Sequence, residues 1–383
     1  AVPFFVLAGA FLTDGGVAKR IITFATNLVG WMPGGLAMSA ILGCAFFATI
    51  SGSSPATVMA IGSIVLPAMV EQGYPKRFGV GVVATAGSLG ILIPPSIVMI
   101  IYAVSTSESA GKLFMAGVVP GFLLAALLMG ITFILAKKKG FPTMPRASFK
   151  QIWKSFLEAF WGLLIIVIVM GGIYGGIFTP TEAAAVSAVY SFVCAVFIYR
   201  TLKFRDVPKV LLHAANTSAM LLYIITNAIL FSFLMTSEQI PQALSTWVVA
   251  QHLEPWMFLV VVNVALIAAG QFMEPSSIIL ILAPLLVPIA KTMGIDPIHL
   301  GVVMTINMEI GMLHPPVGLN LFVASHLAKM GLTEVSIAAA PWLIVMLLYL
   351  ILITYVPEIS LWLPNLMYGT PGGAAGAVGG AFD

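Results

Sequence analysis

The sequence predicts an all-α, polytopic membrane protein made of two inverted repeats, each with a re-entrant helical hairpin and a broken helix. Three observations lead there: the composition, the one-sided placement of basic residues and a self-similarity at a fixed offset. Of 383 residues, 60% are hydrophobic and 8% are charged, and the mean hydropathy is +1.08. Soluble domains carry about 25% charged residues, so a water-soluble fold is excluded. Lys112 and Lys291 fall on one side of the predicted spans, and every other lysine and arginine falls on the opposite side, which the positive-inside rule makes cytoplasmic. Trp31, Trp153, Trp161, Trp247, Trp256, Trp342 and Trp362 sit near segment ends, as an interfacial aromatic belt requires. Helices account for all of this, with no room for a β-barrel.

The elements follow in order. AVPFFVLAGAFLT precedes Asp14 and spans about 20 Å as a helix, short of a bilayer core of about 30 Å, so it reads as the end of a helix begun ahead of Ala1. Residues 15–30 are amphipathic, Val17, Ile21, Phe24 and Leu28 opposing Lys19, Arg20, Thr23 and Asn27, and read as an interfacial arm. The apolar runs 34–50 and 55–70 are too short to span and too close together to be separate, which predicts a re-entrant hairpin. Runs 78–105, 113–135, 158–178, 182–199 and 212–235 follow. A second amphipathic arm at 238–251 precedes a second hairpin, 256–272 with 276–290, and then runs 298–325 and 335–357. The Gly/Ala-rich stretch 369–383 is expected to be disordered. Cys44 and Cys194 lie inside apolar runs and read as core or lipid-facing residues.

The repeat sets the architecture. At an offset of 221, Pro67 meets Pro288, Gly73 meets Gly294, Gly90 meets Gly311, Pro94-Pro95 meets Pro315-Pro316, and Pro120 meets Pro341. These are residues that bend or break helices, and an odd number of crossings separates the matched loops 71–77 and 291–297, so the halves are inverted. Inverted repeats with interrupted helices are the design of secondary transporters, with the substrate site between the halves.

The chemistry-bearing residues gather at those breaks. Hairpin turns SGSSPA (51–56) and GQFMEPSS (270–277) offer hydroxyl and carbonyl oxygens, and TAGSLGILIPPS (85–96) and INMEIGMLHPPVGLN (306–320) free carbonyls ahead of a Pro-Pro pair. Such oxygens suit a hard monovalent cation. Helix N-termini after Pro55, Pro95, Pro275 and Pro316 suit a substrate carboxylate, with Ser53, Thr57, Ser96, Ser277 and Asn320 as candidate substrate contacts. Glu182, Glu274, Glu309 and His314 are read as ionisable groups at membrane depth, Glu274 and Glu309 placed to bias cation binding and His314 as a core histidine or a relay. There is no HExxH, no paired intramembrane aspartate and no P-loop, and no histidine in the first repeat to activate the SGSS serines, so an enzyme is not expected. A nucleic-acid role is not expected of the basic loop KKKGFPTMPRASFK, and an organic cofactor is not implied.

The runs PFFVLAGAFLTDGG, GSSPATVMAIGSIVLP, GSLGILIPPS, GGIFTPTEAAAVSAVY and GMLHPPVGLNLFV resemble the large membrane subunit of tripartite ATP-independent periplasmic (TRAP) transporters, over nearly all of 1–368. The resemblance implies a Na⁺-driven elevator-type symporter in the bacterial inner membrane that imports organic acids such as C4-dicarboxylates or sialic acid. It also implies a small four-helix membrane subunit and a soluble periplasmic binding protein as partners. Carried over by position, Ser51, Ser54, Gly87, Gly90 and Pro94 form one Na⁺ site, and Gly270, Ser276, Asn307, Gly311 and Pro315 its inverted counterpart. The division expected is a scaffold remnant and arm (1–33), transport repeat 1 (34–112), scaffold helices and loop (113–237), second arm (238–255), transport repeat 2 (256–333), a C-terminal scaffold helix (334–368) and the tail (369–383). A stand-alone Na⁺/carboxylate symporter or an ion channel is the alternative. Two Na⁺ per monoanion, with a tenfold gradient and 100 mV, supply about 5 kcal/mol, enough for concentrative uptake without ATP.

Overall fold

The computed structural model describes residues 1–240, 243, 246 and 253–369. Most of the arm expected at 238–251 and the tail expected from 369 onward therefore lie outside the described residues. The described residues form helices joined by short turns, and eight of these helices are long and apolar enough to cross a membrane.

In the first repeat, hairpin 1 consists of Gly35–Ser51 and Ser54–Glu71. Gly52 closes the first limb at φ 57, a left-handed conformation that costs glycine little, and Pro55 opens the second limb, where an amide donor would be unused. Broken helix 1 runs through Lys76–Ala86, a single turn Leu89–Leu92, and Ile97–Thr106, with extended backbone at Ile93 and Ser96 around the cis Pro94-Pro95 bond. The second repeat follows the same order: hairpin 2 is Pro255–Gly270 and Pro275–Thr292, and broken helix 2 is Pro297–Gly311 and Leu319–Ala328, with Pro315-Pro316 also cis. The offset of 221 carries Ser54–Glu71 onto Pro275–Thr292 end to end.

The repeats interlock by exchange. Ser54–Glu71 of hairpin 1 packs on Leu319–Ala328 of broken helix 2, and Pro275–Thr292 of hairpin 2 packs on Ile97–Thr106 of broken helix 1. Broken helix 1 forms the centre, 94% of its most apolar stretch being buried, whereas 12% is buried for the helix over Phe204–Met235 at the periphery.

Around this core stand Val2–Asp14, Val17–Val29, Ala110–Lys139, Phe149–Tyr174, Pro180–Val193 (extended by a π turn to Ile198), Val207–Ser237 and Leu332–Tyr355. The amphipathic helix Val17–Val29 turns 68° away from Val2–Asp14. Two of these outer helices are repeat mates tied to each other. Trp342 Nε1 donates to Thr132 Oγ1 (2.8 Å) and Tyr349 Oη to the Pro120 carbonyl (2.8 Å). The C-terminal stretch differs from the single helix expected. Leu332–Tyr355 stops before Pro357, and a separate helix, Glu358–Tyr368, lies against Ala110–Lys139. A proline at 357 has no N–H to continue the ladder, which explains the break.

Candidate functional site

Tip 1 is a cluster of oxygens. Ser51 Oγ lies 2.7 Å from Thr57 Oγ1, and Thr57 Oγ1 donates to the Ser53 carbonyl (2.9 Å). One residue on, Ser54 is fully buried; its hydroxyl donates to the Gly87 carbonyl (2.9 Å) and accepts from Asn320 Nδ2 (2.7 Å). Ser54 thus joins hairpin 1 to both broken helices. The closeness depends on Gly90: a Cβ there would stand 2.7 Å from the Ser53 carbonyl and 2.9 Å from Ser54 Cα, both backbone atoms that cannot swing aside. Ser51, Ser54, Gly87 and Gly90 are therefore brought together, with Pro94 buried in the adjoining bend.

Tip 2 has the same frame with different chemistry. Gly311 packs on Gly270 so closely that a Cβ at 311 would meet Gly270 Cα at 2.6 Å, and the amide of Gly318 donates to the Gln271 carbonyl (3.3 Å). Here the helix cap is a carboxylate. Glu274 accepts from the amides of Ser276 (2.9 Å) and Ser277 (3.3 Å) and from Ser276 Oγ (2.9 Å). Asn307 turns toward hairpin 2, its Nδ2 donating to Asn263 Oδ1 (2.8 Å), and Asn263 Nδ2 donates on to Thr354 Oγ1 (3.0 Å). The oxygens Asn307 Oδ1, Asn320 Oδ1 and both of Glu309 are buried without a hydrogen-bond partner among the described residues. Buried polar atoms are ordinarily paired. The hydroxyl and carbonyl oxygens at the tips are neutral donors of the kind that fits a monovalent hard cation better than a softer metal.

Between the two tips lies a cavity of about 320 Å³. Ser51, Ser53 and Ser54 line it from tip 1, Glu274 and Ser276 from tip 2, and Thr13, Asp14, His213 and Thr217 from two outer helices. Of the expected substrate contacts, Ser53 is on this wall. Thr57, Ser96 and Asn320 are buried behind it, Ser96 capping Ile97–Thr106, and Ser277 lines a separate depression with Tyr223 and Asn227. Pro315 sits on the exposed bend of broken helix 2, and His314 Nδ1 lies 2.7 Å from its carbonyl.

Glu182 is exposed at a helix start, where it closes a capping box with Thr179, whose amide and hydroxyl donate to Glu182 Oε2 at 2.8 and 2.9 Å. The T-x-x-E spacing of TPTE is the signature of that motif. Sequence reasoning passed over two residues of the site. Asn263 is a lone amide in an apolar limb, and His213 shares a helical face with Thr217 and Met220.

Comparison with known proteins gives one answer. Residues 1–359 match the family described as the tripartite ATP-independent periplasmic transporter, DctM component. The chain is 61% identical to the C4-dicarboxylate TRAP transporter large permease protein DctM of Rhodobacter capsulatus, over 96% of this chain and 87% of the relative. It is 57% identical to the protein of the same name in Pseudomonas aeruginosa, over 95% and 86%. Among solved structures, the YdaH transporter of Alcanivorax borkumensis superposes with a TM-score of 0.68 at 16% identity, covering 95% of this chain and 86% of that one, a likeness of fold alone. Family match, identity and apolar spans together make this chain a member of the DctM family of TRAP transporters, a multi-pass inner-membrane transport protein and not an enzyme.

Proposed function

We propose that this protein imports small organic acids, C4-dicarboxylates foremost, by Na⁺ symport with an elevator motion. The observation that carries the reading is a cavity bounded by both hairpin tips, with side-chain and backbone oxygens beside each tip. In this reading Ser51, Ser54, Gly87, Gly90 and Pro94 hold one Na⁺, and Gly270, Ser276, Asn307, Gly311 and Pro315 a second. Both Na⁺ ions are cargo. Bound near the tips, they supply the positive charge that an anionic substrate needs in a cavity whose lining, among the described residues, has no lysine or arginine. The helix N-termini at Ser54 and Pro275 add partial positive charge toward the same space. Substrate and ions then stabilise each other, which is the physical basis of coupling.

The moving unit is 34–112 with 256–333, which the exchange of hairpins and broken helices makes one packed body. The frame is 1–33, 113–255 and 334–368. The names of the relatives favour C4-dicarboxylates over sialic acid as the substrate. As in a tripartite system, a small four-helix membrane subunit would complete the frame and a periplasmic binding protein would deliver the substrate.

The test is uptake into proteoliposomes that contain this chain and its small subunit, offered labelled succinate or sialic acid. Uptake that needs an inward Na⁺ gradient and the binding protein is expected. Uptake with Na⁺ alone would make it a stand-alone symporter, and ion flux indifferent to both would make it a channel.

A further inference from the structure

The cavity has polar groups on two separate walls. One wall is tip 1, with Ser51, Ser53 and Ser54. The other is the helix Val207–Ser237, whose residues His213, Thr217, Met220 and Leu221 recur at the spacing of one helical face and all line the cavity. Ile97, Val98 and Leu319 make other parts of the lining apolar. His213 lies six residues after the helix start at Val207, about 9 Å along the axis from the turn 200–206, whose Arg200, Lys203 and Arg205 belong to the side read as cytoplasmic. Thr13 and Asp14, at the end of Val2–Asp14 and next to the Lys19-Arg20 pair, line the same rim. Three ionisable side chains face the cavity: Asp14, Glu274 and His213. The two carboxylates only accept when ionised, and those of Glu274 are taken up by its own helix end. The imidazole of His213 can donate, and no hydrogen bond or ion pair engages its ring among the described residues.

We infer that His213 is a carboxylate subsite on the frame side of the cavity, which binds the second carboxylate of a dicarboxylate when the site faces the cytoplasm. This rests on the reading of the protein as an organic-acid importer. A dicarboxylate has two charged ends and an apolar middle, and so matches polar groups on two walls with apolar lining around them. A monocarboxylate at tip 1 leaves His213 unused. Because His213 belongs to the frame, the contact forms at one end of the stroke and is absent at the other, so it acts on cytoplasmic affinity.

The experiment is efflux of preloaded succinate and of its monomethyl ester, down an outward Na⁺ gradient and with the binding protein outside, from proteoliposomes holding the protein with its small subunit, for wild type, His213→Gln and His213→Lys. In His213→Gln the internal KM for succinate should rise about tenfold, with the ester changed by less than about twofold and the thermal midpoint unchanged. His213→Lys, which puts a hydrogen-bond donor back on that wall, should bring the succinate KM back. An unchanged succinate KM in His213→Gln, or an equal rise for succinate and ester, overturns the subsite. Wild-type protein that moves neither compound removes the organic-acid reading and the subsite with it. Wild-type efflux beside an unaltered mutant removes the subsite alone.

Discussion

Ser53 and Glu274 occupy the same place, 221 residues apart, at the cap of the second limb of each hairpin. In the first repeat that place is a neutral hydroxyl with no cap bond, beside a knot of hydroxyls and carbonyls. In the second it is a carboxylate that takes the amides of its own helix. The surroundings differ in the same sense. Ile91–Ile100, the bend of broken helix 1, is buried throughout, whereas Pro315 and Pro316 of broken helix 2 are exposed and Phe272 at tip 2 is 66% exposed. Duplication has kept the positions where the backbone must break and close up, and has let the side chains diverge. The two ion sites proposed on this one backbone plan would then differ in strength, which suits a cycle in which ions bind and leave in order.

The sharpest way to break the comparison is to exchange the caps. Ser53→Glu puts an uncompensated carboxylate on the wall where the substrate anion is proposed to bind. Like charges brought together at a desolvated site cost several kcal/mol, so uptake should fall by about a thousandfold. Glu274→Ser keeps a capping oxygen and should lose only about threefold. Uptake rates in proteoliposomes, with folding followed by gel filtration, decide it; a Ser53→Glu protein that transports normally would place the anion elsewhere.

Next comes the close packing that both repeats share. Gly90→Ala and Gly311→Ala each force a methyl group against backbone, of tip 1 and of Gly270 respectively. A displacement of about 1 Å at such a site is enough to cost about a hundredfold in rate. Both variants should lose transport to a similar degree while still inserting in the membrane. A tolerated alanine at one position but not the other would end the equivalence of the two tips.

The hydroxyls should show the divergence. Ser54→Ala removes the link among hairpin 1, Gly87 and Asn320 and leaves Asn320 Nδ2 buried without its partner. The loss is about 1–3 kcal/mol, read as a lowered thermal midpoint and a rise of about tenfold or more in the Na⁺ concentration for half-maximal uptake. Ser276→Ala removes one ligand of the proposed second Na⁺ site and a bond to Glu274, which keeps two amide donors, so the Na⁺ concentration for half-maximal uptake should rise by only about threefold with little loss of stability. Equal effects would mean that tip 2 depends on its hydroxyl as tip 1 does.

What could be read from the chain, and what could not, follows the same line. Helix breakers act locally, so the 221-residue offset and both broken helices were visible in prolines and glycines, and both hairpins in apolar runs too short to span. The backbone closeness of Gly90 to Ser53, and of Gly311 to Gly270, appears only in the packed structure. Side-chain partners depend on which face of a helix meets which neighbour, and periodicity does not say that. Ser276 was placed in the second ion site by position, and the donation of its hydroxyl to Glu274, which leaves the oxygen's lone pairs free, could not be read from the chain. Asn307 was placed in the same site, and the donation of its amide to Asn263 was equally hidden. His213 carries no local signal beyond its spacing from Thr217, because only the packed helices bring that face to the cavity.

The anchoring of each repeat to its surroundings gives the smallest effect. Phe78 and His299 are repeat mates near the start of each broken helix. Phe78 packs edge-on to Trp342, 5.3 Å between ring centroids, while His299 Nδ1 lies 2.7 Å from Ser360 Oγ. Beside Phe78, Arg77 Nη2 bonds Glu334 Oε1 at 2.8 Å, and the second repeat has Ile298 in that position. The ion pair joins the proposed moving unit to the frame, so it would have to part during an elevator stroke. Its side chains are 66% and 49% exposed, and water and salt screen such a pair to about 0.2–1 kcal/mol. Arg77→Ala should therefore shift the thermal midpoint slightly at low salt and not at high salt, and should change the uptake rate by less than about fivefold. A larger change in rate, unaltered by salt, would mean that the first repeat is latched to the frame at its cytoplasmic end in a way the second is not.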